Sequence, residues 1–382
     1  MIRIVVYNGS WSTFGGGEKY SCALAGALTA LEGATVSLLV DVPDITRERL
    51  EQYFNLDLRS VEVTRISPRE ISARLAEADL GVIISNFRPY GLRARRNVYV
   101  LQIPYPLINL VTIGKKLVRG ELREGLKDVS RKLLLRVARN ADLTLVYSEF
   151  VRDVLARHHS VHAQVLYPPI DDFGGTGPKR NVILSVGRFF TGPYNDKRYD
   201  ATIDAFKELY NRCDDKSWEY RIVGSCADDE FSRRYVARLR EAAAGVPVTF
   251  CVNIPYPDLR REYQHAAIFW HAAGFGLDET SVPDRMEHFG MSTVEAMSAG
   301  CIPVVINAGG QKEIITHGTS GYLWNTRTQL LDTTLGVIGN PAAAAVMRHE
   351  ARKRYEEFAG PRFARLAREL MHKQGIISDG AS

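Results

Sequence analysis

Glu287 and Glu295 stand on either side of the run Phe289-Gly290-Met291-Ser292, with seven residues between them. A helical pattern rich in Ala, Met and Val follows. If the helix starts at the glycine, the backbone N–H groups of Phe289, Gly290, Met291 and Ser292 face an anion at its N-terminus. Glu287, just before the helix, can meet the hydroxyls of a sugar. Glu295, one to two turns in, can accept two hydroxyl hydrogen bonds of the kind a ribose offers. One acid for each sugar of a nucleotide-sugar, with the phosphates between them, is the chemistry this spacing allows. The plainer alternative is a capped helix with two exposed acids.

Three further groups of residues could serve the same ligand. In "SVGRFFTGPYNDKRYD" a strand pattern ends at Gly187, and Arg188 and Lys197 follow in a loop. Cations beyond the carboxyl end of a strand suit a diphosphate, although a solvated loop would carry them as well. Gly15-Gly16-Gly17 follows the first strand pattern and opens a helix, so Gly16 and Gly17 could let an anionic ligand approach the backbone. Between Arg88 and Arg139 there are thirteen Lys and Arg against three Asp and Glu. Within that segment Val118, Leu122, Leu126, Val129, Leu133 and Val137 recur at helical steps beside Arg119, Arg123, Lys127 and Arg131. The stripe is expected to pack on its own domain with the basic face turned out, and residues 115–139 could then touch an anionic membrane surface.

The elements that must hold these residues alternate along the whole chain. "IRIVVY", "ATVSLLV", "DLGVIIS", "NVYVLQI" and "DLTLVYS" are short apolar runs separated by helical patterns, which predicts parallel sheets covered on both faces. The Pro- and Gly-rich stretch "YPPIDDFGGTGPKR", residues 167–180, breaks the rhythm, and the alternation then restarts. The expected architecture is α/β, with two Rossmann-like domains, 1–170 and 171–355, facing a cleft. A last segment, 356–382, is helical.

A chain of 382 residues suits two domains. With 45% apolar and 24% charged residues it reads as an ordinary globular protein. No run approaches the length of a membrane span, and "MIRIVVYNGS" reads as a strand rather than a signal peptide. Five scattered cysteines without Cys-x-x-Cys point to neither a disulfide nor a zinc site. The expected location is therefore cytoplasmic, possible attachment to the inner face of a membrane included. A nucleic-acid partner is not expected. The net charge of +5 sits in the basic segment, and the rest of the chain is slightly acidic.

With "HFGMSTVEAMSAGCIPVV" running through the paired glutamates, the chain resembles the retaining GT-B glycosyltransferases of family 4, the glycosyl transferases group 1. "GGGEK", "VGRF" with Lys197, "YPPID" and "GGQKEII" stand where that family has its glycine loop, diphosphate-binding Arg and Lys, interdomain segment and a later strand-end loop. "GGGEK", "EHFG" and "YPPID" look most like GDP-mannose-using enzymes that extend lipid-linked oligosaccharides. The resemblance implies a GT-B fold whose last helix crosses back to the N-terminal domain. It implies transfer of a hexose, with retention, to a glycan or lipid-linked acceptor. It puts the donor's base near Asn253 and Ile254. Glu287, Arg188 and Lys197 are the expected catalytic residues. No cofactor and no metal are expected, and the chain has no Asp-x-Asp. A His that many members carry in the first domain has no counterpart here, because "VLQIPYPLIN" puts Pro104 or Tyr105 near its place. His271 and His288 read as buried, hydrogen-bonded structural residues. The alternatives are a UDP-sugar-dependent enzyme of the same fold and a nucleotide-sugar-binding module without catalysis. A nicotinamide-dependent oxidoreductase is disfavoured, since Gly-x-Gly-x-x-Gly is missing after the first strand.

Overall fold

The computed structural model describes residues 1–11, 15–174, 177–190 and 196–376. The chain forms two compact units, one of 1–169 with 360–382, the other of 170–359.

In the first unit the elements follow in the order β1 (Ile2–Asn8), α1 (Gly16–Leu28), β2 (Ala34–Val40), α2 (Arg47–Phe54), β3 (Val61–Arg65), α3 (Ile71–Ala76), β4 (Leu80–Ile84) and β5 (Arg96–Leu101). After these come α4 (Leu110–Val118), α5 (Leu122–Arg139), β6 (Leu143–Val146), α6 (Glu149–His159) and β7 (Gln164–Val165). The strands make one parallel sheet in the order β3-β2-β1-β4-β5-β6-β7. Its central strands are buried along their length, which is why they read as unbroken apolar runs.

The second unit runs β8 (Arg180–Val186), α7 (Tyr199–Arg212), β9 (Glu219–Gly224), α8 (Glu230–Ala242), β10 (Val248–Val252), α9 (Tyr256–His265), β11 (Ala266–His271) and α10 (Met291–Ser298). It continues with β12 (Ile302–Ile306), α11 (Gln311–Ile314), β13 (Tyr322–Trp324), α12 (Arg327–Gly339) and α13 (Pro341–Tyr355). Its parallel sheet has the order β10-β9-β8-β11-β12-β13, so the chain switches direction across the sheet between β8 and β11. Trp270, Phe206, Tyr220 and Ile268 are among the fully buried residues of its core.

α14 (Gly360–Lys373) lies in the first unit against α1, with Phe363 edge-on to Tyr20 at 5.2 Å. The return begins at Gly360 rather than at 356. Residues 356–359 stay with the second unit because Phe358 packs edge-on against Phe289 at 5.5 Å and Ile170 pairs with Ala359. The expected linker is also firmer than its prolines and glycines suggest. Asp172 is ion-paired to Arg352 at 2.7 Å and the Phe173 N–H donates to Ser298 Oγ at 3.1 Å, which fixes both on the second unit.

The expected inward packing of the 118–137 stripe holds only for Val137, which is half-buried against the core. Val118, Leu122, Leu126, Val129 and Leu133 are exposed, and α5 instead buries Leu134, Leu135 and Ala138 in the core. The helix has two apolar faces, and the i, i+4 spacing marks both without saying which one meets the sheet. Nor is the helix continuous: it breaks at Gly120, whose φ of 77° a residue with a side chain rarely adopts.

Candidate active site

In the second unit the expected residues gather beyond the carboxyl ends of β8 and β11, at the switch point of the sheet, where open α/β sheets bind ligands. β8 delivers Gly187 and Arg188. The stem of Lys197 crosses directly over Gly187, where a Cβ would lie 2.7 Å from Lys197 Cε, so only glycine admits the lysine along this path. Tyr199 holds the same turn by donating to the Gly187 carbonyl at 2.9 Å.

Lys197 Nζ ends 2.5 Å from Glu287 Oε2, and His271 Nε2, at the last residue of β11, lies 2.9 Å from the same oxygen. Burial alone would raise the Glu287 carboxyl, but the Lys197 ammonium and the His271 hydrogen bond outweigh it and hold the group well below the usual carboxylate range. Glu287 is therefore a carboxylate and can only accept. His271 must donate through Nε2–H, and burial, against the pull of Glu287, keeps the ring neutral by lowering its pKa. His271 Nδ1 is then an acceptor, buried with no hydrogen-bond partner among the described residues. Glu287 Oε1 takes no hydrogen bond from a described residue either, while Oε2 takes two.

The backbone around Glu287 is fixed from the opposite side by the loop after β12. Gly310 N–H donates to the Glu287 carbonyl at 2.8 Å, and a Cβ at Gly309 would lie 2.2 Å from that carbonyl oxygen. Glu279 closes the loop, accepting from Gly309 N–H at 2.7 Å and Lys312 Nζ at 2.6 Å.

α10 starts where the acids require it. Gly290, at φ 123°, is its N-cap, and a Cβ there would lie 2.9 Å from Gln311 Nε2. The first intrahelical hydrogen bonds run from Thr293 and Val294 to the Gly290 carbonyl, so the N–H groups of Met291 and Ser292 precede the ladder. Phe289 is buried and anchors the turn on Phe358. Glu295 accepts from Tyr263 at 2.7 Å, and burial, then the Glu295 charge, drives the Tyr263 hydroxyl pKa far up. Tyr263 thus stays a donor.

Arg188 is exposed and makes no hydrogen bond or ion pair to a described residue through its side chain. Asn253 follows β10 in the left-handed region at φ 53°. Its amide is engaged with the Cys226 backbone, accepting from N–H at 2.8 Å and donating to C=O at 3.1 Å, so it shapes the loop and has little left for a base. Ile254 beside it is half-buried. Among the described residues, no group of three or more His, Cys, Asp and Glu is arranged to hold a metal ion.

Gly16 and Gly17 belong to the first unit, in the first turn of α1. A Cβ at Gly17 would lie 3.1 Å from Gln102 Nε2. Gln102, after β5, donates to Tyr147 Oη at 2.6 Å and exchanges hydrogen bonds with Asn86, after β4, at 2.8 and 2.9 Å. Sequence reasoning missed this strand-end network. It also took His271 for a structural residue; the one signal was a histidine closing an otherwise apolar strand, "AAIFWH".

Two α/β units, each with a parallel sheet and this arrangement of strand-end residues, define the GT-B fold. The chain resembles Anabaena Alr3699/HepE, crystallised in complex with UDP and glucose, with a TM-score of 0.67 over 97% of this chain and 99% of that one at 17% identity. Residues 170–354, the second unit, match the family model of the glycosyl transferases group 1. A Xenopus laevis GDP-Man:Man(3)GlcNAc(2)-PP-Dol alpha-1,2-mannosyltransferase is 30% identical over 169 residues, 40% of this chain and 31% of that protein. A glycogen synthase of Pseudomonas syringae is 30% identical over 192 residues, 48% of this chain and 35% of that one. The chain spans about a third of the length of these curated relatives.

Proposed function

We propose that the protein moves a hexose, mannose from GDP-mannose, to a glycan or lipid-linked acceptor, with retention of configuration and without a metal ion. The observation that carries this reading is the convergence of Lys197 and His271 on one oxygen of Glu287 at the switch point of the second sheet. It leaves Glu287 Oε1 to accept from a hydroxyl of the transferred sugar. Lys197, with Arg188 and the first N–H groups of α10, neutralises the diphosphate as it leaves. Glu295 receives the ribose hydroxyls.

In this mechanism the bond between the anomeric carbon and the phosphate oxygen breaks and its electron pair goes to that oxygen. The ring gains positive charge, which the ionised Glu287 stabilises more in the transition state than before it. The acceptor hydroxyl attacks the same face of the sugar. Its proton passes to the departing phosphate oxygen.

Similarity to the frog mannosyltransferase favours GDP-mannose. A UDP-hexose donor is the second reading, favoured by the Anabaena protein bound to UDP and glucose. One assay separates them: GDP-mannose, UDP-glucose and ADP-glucose, each followed for nucleoside diphosphate release with and without EDTA, with the product anomer read by proton NMR. The proposal expects GDP-mannose to be consumed fastest, without loss in EDTA, and an axial product. Faster use of UDP-glucose would support the second reading. Nucleotide binding without turnover of any donor would make the protein a binding module.

A further inference from the structure

We propose that the α4–α5 hairpin of the first unit docks on the surface of an anionic lipid bilayer. This goes beyond the reading of the second unit and does not depend on it. The hairpin is built as a rigid piece. Asp128 is buried between the helices and takes Lys116 of α4 at 2.5 Å and Arg131 of α5 at 2.8 Å. Ile113, Leu134, Leu135 and Ala138 anchor its inner side in the core of the unit.

Its outer side is bare and apolar. Val118 is 91% exposed, Leu122 61% and Leu126 66%, and Val129 and Leu133 continue the row. At helical spacing Leu122, Leu126, Val129 and Leu133 of α5 form one stripe opposite the buried face. Arg123 flanks the stripe on one side, and Lys132 and Arg136 on the other. These three, with Lys115 and Arg119, are exposed and form no ion pair with a described residue. Glu124, by contrast, is tied to Lys127 at 2.6 Å.

An apolar face bordered by unpaired cations fits the boundary between acyl chains and anionic headgroups. A second copy of the chain fits it poorly. A two-fold contact through the stripe would bring the flanking Arg and Lys of both copies together, and like charges facing each other oppose association. Among the described residues no single helix is long and apolar enough to cross a membrane.

The test is flotation of the whole chain with vesicles of phosphatidylcholine alone, or of equal parts phosphatidylcholine and phosphatidylglycerol, at low and high salt. The chain should float with the anionic vesicles only, and high salt should release it. Each cation near the surface contributes about fivefold in partitioning, so Arg123→Glu with Arg136→Glu should weaken binding by about twenty-fivefold or more. Leu122→Ser with Leu126→Ser should weaken it about tenfold or more. Both pairs are exposed, so melting temperatures should stay put, and Val118→Ser alone serves as a milder probe of the stripe. Failure of the unmodified chain to bind anionic vesicles at low salt would overturn the proposal. So would equal binding to neutral vesicles, wild-type binding by the charge-reversed variant, or a dimer in light scattering that the serine variant splits.

Discussion

Lys197 Nζ and Glu287 Oε2 meet at 2.5 Å although ninety positions separate them in the chain. The cation assigned to the diphosphate and the acid assigned to the hexose therefore share one point, where the bond between sugar and phosphate would be broken. Both side chains are largely buried. Removing one partner of such a pair leaves a buried charge without its counterion, at a cost of about 3–5 kcal/mol. Lys197→Met should destabilise the protein by roughly that much in chemical denaturation, and Lys197→Met with Glu287→Gln should recover most of it. Additive losses in the double variant would mean that the two charges are not coupled.

Gly187→Ala should reproduce the loss of Lys197 function without touching a charge. The new Cβ would occupy the path of the lysine stem, 2.7 Å from Cε. We expect kcat/KM to fall by about tenfold to a hundredfold, the range of a lost hydrogen bond to a charged group. Unchanged kinetics would show that the lysine does not reach its place across Gly187.

In the proposed mechanism His271, hydrogen-bonded to Glu287, acts through it as a positioning residue. His271→Leu should lower kcat with little effect on donor KM, and His271→Gln, whose amide N–H can replace the Nε2–H, should restore much of the turnover. Equal losses in both variants would reduce His271 to a packing role.

Acid should weaken the second unit in a set direction. Burial lowers the pKa of His271 and of His288. The unfolded chain takes up protons near pH 6.5 while the folded one refuses them, so stability is full above that pH and is lost as the pH falls, by up to about 1.4 kcal/mol per pH unit for each histidine. Glu287, depressed in the fold, adds a loss of the same sign below the ordinary Glu range. Denaturant midpoints between pH 8 and pH 5 should fall toward acid, and less steeply in His271→Gln. A flat profile would show that these rings titrate as they do in water.

The sequence makes the two sheets legible because buried parallel strands are continuous apolar runs. Glu287, Gly290 and Glu295 are legible for another reason: they are close in sequence, and one helix start fixes their geometry. His271 is not, since its role depends on Glu287, sixteen positions further on in the irregular connection after β11, where no helical or strand period relates the two. Asn253 misleads for a similar reason, its amide being taken by Cys226 of a neighbouring loop. The α5 stripe shows the limit of periodicity: Leu126 and Leu134 are equally good helical apolar positions, and only tertiary packing decides that one is exposed and the other buried.

The account rests on unlike roles for the two glutamates. In the proposed mechanism Glu295, held by Tyr263, receives the ribose, which does not change as the bond breaks, so Glu295→Gln should raise donor KM about tenfold and leave kcat nearly unchanged. In the same mechanism Glu287 is the acid that faces the sugar gaining charge. The deciding measurement is steady-state turnover of GDP-mannose by Glu287→Gln, paired with calorimetric titration of GDP on the same protein. We expect kcat to fall about a hundredfold or more while GDP affinity stays within about twofold of the unmodified protein. A Glu287→Gln protein that turns over normally but no longer binds GDP would contradict the account.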